Sequence, residues 1–181
     1  MKIAFIRHGQ TEYNKAGRAT GWANTPLSEE GVVYTQKLAL EIQSDFTYIY
    51  SADLVRYKQT TEILNKKLNL SICYDTRLRE RNFGSLEGTL ILDLDPMIRE
   101  KDKLQTYDYR PYDGESVDDV KVRVFSFIKE ICREKPNEKI LVITSGGIIR
   151  LLHNVINNEV YEVIQNSSIH EFDFDEDFLK N

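Results

Sequence analysis

Lys2-Ile3-Ala4-Phe5-Ile6-Arg7-His8-Gly9-Gln10-Thr11 opens the chain, and the reading of this stretch decides the fold. Ile3 to Ile6 are apolar without interruption, the pattern of a buried strand rather than of one exposed along one face. His8-Gly9 ends the run in a tight turn, which leaves Arg7 and His8 at the carboxyl end of the strand.

Working outward, strand and helix signals alternate. A polar loop carries Gly17, Gly21, Asn24 and Pro26. Ser28 then caps a helix with Glu29 and Glu30 in its first turn and Val32, Leu38 and Ile42 on its apolar stripe. Thr47–Tyr50 reads as a strand, Leu54–Leu64 as a helix and Leu70–Tyr74 as a third strand. Ser116 and Asp119 form a capping box ahead of Val117, Val120, Val124, Phe127, Ile128 and Ile131 at helical spacing. Lys139–Thr144 is a strand, Ile148–Ile156 is helical, and Ile169, Phe172 and Phe174 mark a last strand. Strands separated by helices pair in parallel through right-handed crossovers. The expected fold is therefore α/β, three-layer, with a mostly parallel central sheet and helices on both faces.

The 181 residues suit one core, and 41% apolar with 29% charged residues is an ordinary globular composition. With 24 Lys and Arg against 29 Asp and Glu, the net charge of −5 argues against nucleic acid as a partner. Cys73 and Cys132 have no CxxC spacing and are expected to be buried apolar residues. The first apolar run is too short for a secretory signal and no run is long enough to span a bilayer, so no membrane partner and a cytoplasmic location are expected.

Ligands of such sheets bind beyond the carboxyl ends of the strands. Four such ends carry polar groups: Arg7-His8-Gly9-Gln10-Thr11 with Asn14, Ser51–Arg56, Leu78–Glu80 with Phe83–Gly88, and Ser145-Gly146-Gly147 through Arg150. Neither GxGxxG nor GxxxxGK[ST] follows the first strand. Acidic residues do not cluster with His at metal-ligand spacing, so no metal is expected.

These motifs, with Gly114-Glu115-Ser116, occur in an order that resembles the histidine phosphatase superfamily, which includes phosphoglycerate mutases and broad-range and alpha-ribazole phosphatases. The resemblance implies one phosphoglycerate mutase-like domain over 1–181, with a small cap insertion around 89–113, acting on a small phosphorylated substrate without a cofactor. Through it His8 is the nucleophile, Arg7 and Arg56 hold the phosphoryl oxygens and Glu80 is the general acid, its carboxyl raised by the bound phosphate; without the resemblance Glu80 reads as a salt-bridged surface residue beside Arg79 and Arg81. Asn14, Gln10, Thr11, Gly21 and Gly146 are expected at the substrate, and Trp22 either lines the pocket or packs.

Ser145 departs from the pattern, since the family places a second His there. A neutral hydroxyl cannot carry that charge, so the expected activity is phosphomonoester hydrolysis reduced on the order of 10² to 10³, whether the Ser is natural or introduced. Phosphoglycerate mutase-type transfer and a non-catalytic phosphate-ligand binder stand as alternatives. His153, about two turns into the following helix, is expected to be solvated or at the core edge. The charges of Arg99 to Lys103 are expected on a solvated face of the cap, and the acidic run Asp173 to Asp177 in a solvated terminus. Oligomeric state is not legible in these residues.

Overall fold

Four parallel strands and one antiparallel strand form the central sheet of the computed structural model, which describes residues 1–175 and 178–179. Chain order is β1 (Lys2–Arg7), α1 (Glu12–Lys15), α2 (Glu29–Glu41), β2 (Tyr48–Ser51), α3 (Val55–Leu68), β3 (Ile72–Tyr74), α4 (Pro96–Lys103), α5 (Val117–Glu134), β4 (Ile140–Thr144), α6 (Gly146–Asn157) and β5 (Ile169–Asp173). Spatial order is β3-β2-β4-β1-β5, with β5 alone running antiparallel, against β1. Ile3 to Ile6 and all of β4 are buried, so both faces of the sheet are covered by helices, as the uninterrupted apolar runs require.

Register positions the chemistry. β1 and β4 are neighbours with Arg7 opposite Thr144, and the amide of His8 continues the ladder by donating to the Thr144 carbonyl at 2.9 Å. The turns after the two strands, Arg7-His8-Gly9 and Ser145-Gly146-Gly147, therefore lie side by side. β2 ends one strand further on, with Ser51 opposite Ile143.

Several expected boundaries move. The second helix runs on to Leu68, where Asn69 takes a left-handed cap at φ 52° and the Asn65 side chain bonds Leu70, which shortens the third strand to Ile72–Tyr74. The last helix begins at Gly146 rather than Ile148. Cys132 is buried as expected, but Cys73, on the short edge strand β3, is exposed. The acidic terminus is not wholly solvated: Asp173 ends β5, and Phe174 is buried with its amide donating to the Met1 carbonyl. Glu176 and Asp177 of that run lie outside the described residues.

Residues 89–113 hold α4 and two short 3-10 turns. Asp102 on α4 binds Arg81 at 2.7 Å and Arg150 at 3.0 Å, tying this segment to the carboxyl ends of the strands. No helix among the described residues is long and apolar enough to cross a membrane.

Candidate active site

Arg7 and His8 leave β1 into a cleft of about 330 Å³, at the small end of the range for small-molecule sites. The turn they enter is held from several directions. The Gly9 amide donates to Thr60 Oγ1 at 3.0 Å, and both the amide and hydroxyl of Ser28, the N-cap of α2, donate to the Gln10 carbonyl. Thr11 and Asn14 form a reciprocal capping box that opens α1 and directs Asn14 to the cleft.

The His8 ring is buried, and its Nδ1 lies 2.7 Å from the Gly9 carbonyl oxygen. A carbonyl only accepts, so Nδ1 carries the hydrogen and Nε2 presents its lone pair. Burial, then the charges of Arg56 and Arg7, keep the imidazole far below the ordinary histidine range; the Gly9 bond opposes them without prevailing. His8 is a neutral base of fixed tautomer, with the ring of Tyr57 edge-on at 5.1 Å.

The flanking cations lack carboxylate partners. Among the described residues neither Arg7 nor Arg56 has an acidic side chain within 4.0 Å. Arg56, completely buried, is aimed by the carbonyls of Gly21 at 2.7 Å and Ala23 at 2.8 Å and by the Tyr57 hydroxyl at 2.7 Å. Arg7 donates to the Ile164 carbonyl, and burial depresses it to about 10. A buried and a half-buried guanidinium group held by neutral acceptors beside a neutral imidazole are costly unless an anion joins them.

Glu80 is held by Arg81 and Gly147. It is not a surface residue: its side chain is 12% exposed, Oε1 accepts from the Arg81 amide at 2.9 Å and Nη1 at 3.0 Å, and Oε2 accepts from the Gly147 amide at 3.0 Å. Burial pushes its carboxyl up, but Arg81, these two amides and Arg56 together hold it below the ordinary range, so the rise expected of it depends on a bound phosphate. Of the two neighbouring arginines expected as ion-pair partners, Arg81 binds Glu80 and Arg79 pairs with Asp53 instead. Arg123 on α5 holds the backbone below it, donating to the carbonyls of Arg77, Arg79 and Glu80 while pairing with Glu115 at 2.8 Å.

Of the residues singled out by sequence, Arg7, His8, Asn14, Gly21, Arg56, Glu80 and Gly146 line the cleft together. Three do not line it. Thr11 is buried as the α1 cap, Gln10 supports the turn through its carbonyl, and Ser145 is wholly buried at the α6 N-cap with its hydroxyl unbonded and making no cap contact. Trp22 packs: its indole nitrogen donates to the Glu80 carbonyl, and Arg79 lies over its ring at 5.0 Å.

The glycines after β4 are explained by contact. A Cβ on Gly146 would meet Arg7 Nε at 3.1 Å, and one on Gly147 would meet Arg81 Nη1 at 1.8 Å and Glu80 Oε1 at 2.1 Å. Sequence reasoning missed Arg18, Arg81, Arg150 and Asn166, which also line the cleft. Arg150 stood in the quoted run after β4 and was recoverable, whereas residues 158–168 carry no periodicity to mark them. Among the described residues no group of three His, Cys, Asp or Glu side chains is placed to hold a metal ion.

Comparison with known proteins gives a match to the family model of the histidine phosphatase superfamily (branch 1) over residues 3–179. Fructose-2,6-bisphosphatase TIGAR of Xenopus tropicalis is 34% identical over 137 residues, 72% of this chain but half of that protein's length. The probable phosphoglycerate mutase GpmB of Escherichia coli is 30% identical over 155 residues, 82% of this chain and 70% of its own. A mycobacterial glucosyl-3-phosphoglycerate phosphatase, solved with VO3, superposes with a TM-score of 0.84 at 27% identity, covering 94% of this chain and 91% of that one.

Proposed function

The chain belongs to the histidine phosphatase superfamily (branch 1), and on that premise we propose that it hydrolyses small phosphomonoesters, without a metal, through a phosphohistidine formed at His8. The observation that carries this reading is the neutral His8 imidazole, its tautomer fixed by Gly9, between two arginines that have no carboxylate partner.

Arg7 and Arg56 take the nonbridging phosphoryl oxygens, and Asn14 adds a neutral donor. The His8 Nε2 lone pair forms the P–N bond as the P–O bond to the alcohol breaks. Glu80 gives its proton to the departing oxygen, and its carboxylate then takes a proton from the water that cleaves the P–N bond. The phosphoryl charge raises Glu80 toward the protonated form this role needs, against the pull of Arg81. Ser145 stands where the family's second His would add a charged donor, so turnover is reduced.

The same grip of Arg81 on Glu80 favours a second reading, a non-catalytic phosphate binder in which Glu80 never carries a proton. The two readings separate on hydrolysis of a chromogenic phosphate monoester in the presence of chelator. The phosphatase reading expects steady turnover, lost on His8→Ala. Equal turnover by His8→Ala overturns it, and absence of turnover in the unmodified chain together with tight phosphate binding selects the binder.

A further inference from the structure

Three histidines occur in the chain, and two of them, His153 and His170, lie outside the cleft. They touch: His153 Nε2 is 2.9 Å from His170 Nδ1. His153 Nδ1 lies 3.2 Å from Glu159 Oε2 and 3.2 Å from Asn157 Nδ2, and His170 Nε2 lies 3.0 Å from Ser168 Oγ. With both rings neutral, one run of donors fits these contacts except that to Glu159, which awaits a proton on His153 Nδ1. Asn157 donates to His153 Nδ1, His153 Nε2–H to His170 Nδ1, His170 Nε2–H to Ser168 Oγ, and the Ser168 hydroxyl to the Gln165 carbonyl at 2.6 Å.

A first added proton goes to His153 Nδ1, where Glu159 accepts it. A second can go only to His170 Nδ1, where it meets His153 Nε2–H across 2.9 Å, and two like-charged rings cannot keep that separation.

The far end of this run holds the cleft. The Ile164 carbonyl accepts from Arg7 Nη1, and Asn166 Nδ2 donates to the His8 carbonyl at 3.0 Å and to Asn14 Oδ1 at 3.3 Å. The Arg7 amide donates to the Ser168 carbonyl at 3.1 Å, and the Ser167 amide to the Arg7 carbonyl at 3.0 Å. We propose that His153 and His170 are positioning residues: their shared hydrogen bond anchors Ser168, and with it the 164–168 loop that holds Arg7 and His8, and a second proton on the pair releases that loop.

His153 cannot yield, being 7% exposed and packed between the rings of Tyr161 at 4.2 Å and Phe172 at 4.8 Å. His170 is partly exposed on the edge strand β5, opposite Phe5 of β1, and is the ring free to move with Ser168 attached. The titratable groups facing the pair are Glu159 and Tyr161 beside His153, and each ring beside the other. Burial lowers both rings from the ordinary range; Glu159 opposes this at His153, and the charge of His153 adds to it at His170.

The consequence for hydrolysis rests on the phosphatase reading, but the coupling itself is measured without substrate. Nitrogen NMR of the intact chain is expected to show the Arg7 and Asn166 amides shifting with the second protonation of the pair, and a pH-independent response at both in His170→Gln, which keeps the Ser168 contact but cannot charge. In hydrolysis assays kcat/KM is expected to fall about tenfold per pH unit along an acid limb that His170→Gln removes, while His170→Phe, which loses both bonds, lowers kcat/KM at every pH. Amides that stay fixed while both rings titrate overturn the inference and leave the phosphatase reading intact, as does an unchanged acid limb in His170→Gln. Coupled amides in a chain that hydrolyses nothing support the positioning role and sink the phosphatase reading alone.

Discussion

At the scale of one residue, Ser145 is the most informative position. It begins α6, yet its side chain makes no cap bond and its buried hydroxyl has no partner. A buried polar group without a partner costs about 1–3 kcal/mol, so removing it returns stability rather than losing a cap. Ser145→Ala is expected to stabilise the fold by about 1 kcal/mol, read as a higher urea midpoint with an unchanged slope. Destabilisation instead would mean that the hydroxyl has a partner the geometry does not reveal. Ser145→His tests the chemistry at the same place. A charged donor beside Gly146 and Arg7 is expected to raise ester turnover on the order of 10² to 10³, and unchanged turnover in a folded variant would remove Ser145 as the weak point of the site.

Among elements, the contact between α2 and the turn after β1 constrains the site most directly, because that turn carries His8 and Gly9. A Cβ on Gly31 would lie 2.1 Å from the Gln10 carbonyl oxygen and within 3 Å of its amide nitrogen and carbonyl carbon. These atoms are backbone and cannot swing aside. Gly31→Ala gains roughly 1 kcal/mol of helix propensity, yet is expected to be a net destabilisation of about 1–3 kcal/mol from overpacking, measured by denaturant melts. The displaced Gly9–Gln10 turn would lower His8-dependent turnover with it; a stabilised Gly31→Ala would show that α2 does not set the turn.

This contact also shows where reading a sequence succeeds. β1 and β4 were legible because every residue between their ends is apolar, and the order of polar groups after each strand located the cleft. The Arg81–Asp102–Arg150 group was not legible. Its members are 69 positions apart at most; Arg150 stood in the polar run after β4, but Arg81 and Asp102 read singly as surface charge, and only the fold brings the three together and turns Arg81 onto Glu80. The 164–168 loop was invisible for a different reason: its work is done by carbonyls and by Asn166, which leave no periodic signal.

For the whole molecule, charge is unevenly spent. The chain carries a net charge of −5, yet five arginines and two glutamates line the cleft, so positive potential is concentrated where an anion would sit. Arg7 and Arg56 are held there by neutral acceptors, and burial, with the charges of Arg56 and Arg150, depresses Arg7 to about 10, so the cleft bears a desolvation cost that an anion would offset. Binding to the folded state alone must then raise stability as RT ln(1 + [L]/Kd), about 2.7 kcal/mol at a hundredfold excess over Kd. Inorganic phosphate is accordingly expected to raise the unfolding midpoint in a saturable way, with Arg7→Gln largely abolishing the effect and His8→Ala retaining most of it. Enzyme and binder share this expectation, because it depends on the arginines and not on the nucleophile. A midpoint that rises equally in Arg7→Gln would place the anion elsewhere on the surface and dissolve the cradle on which both readings stand.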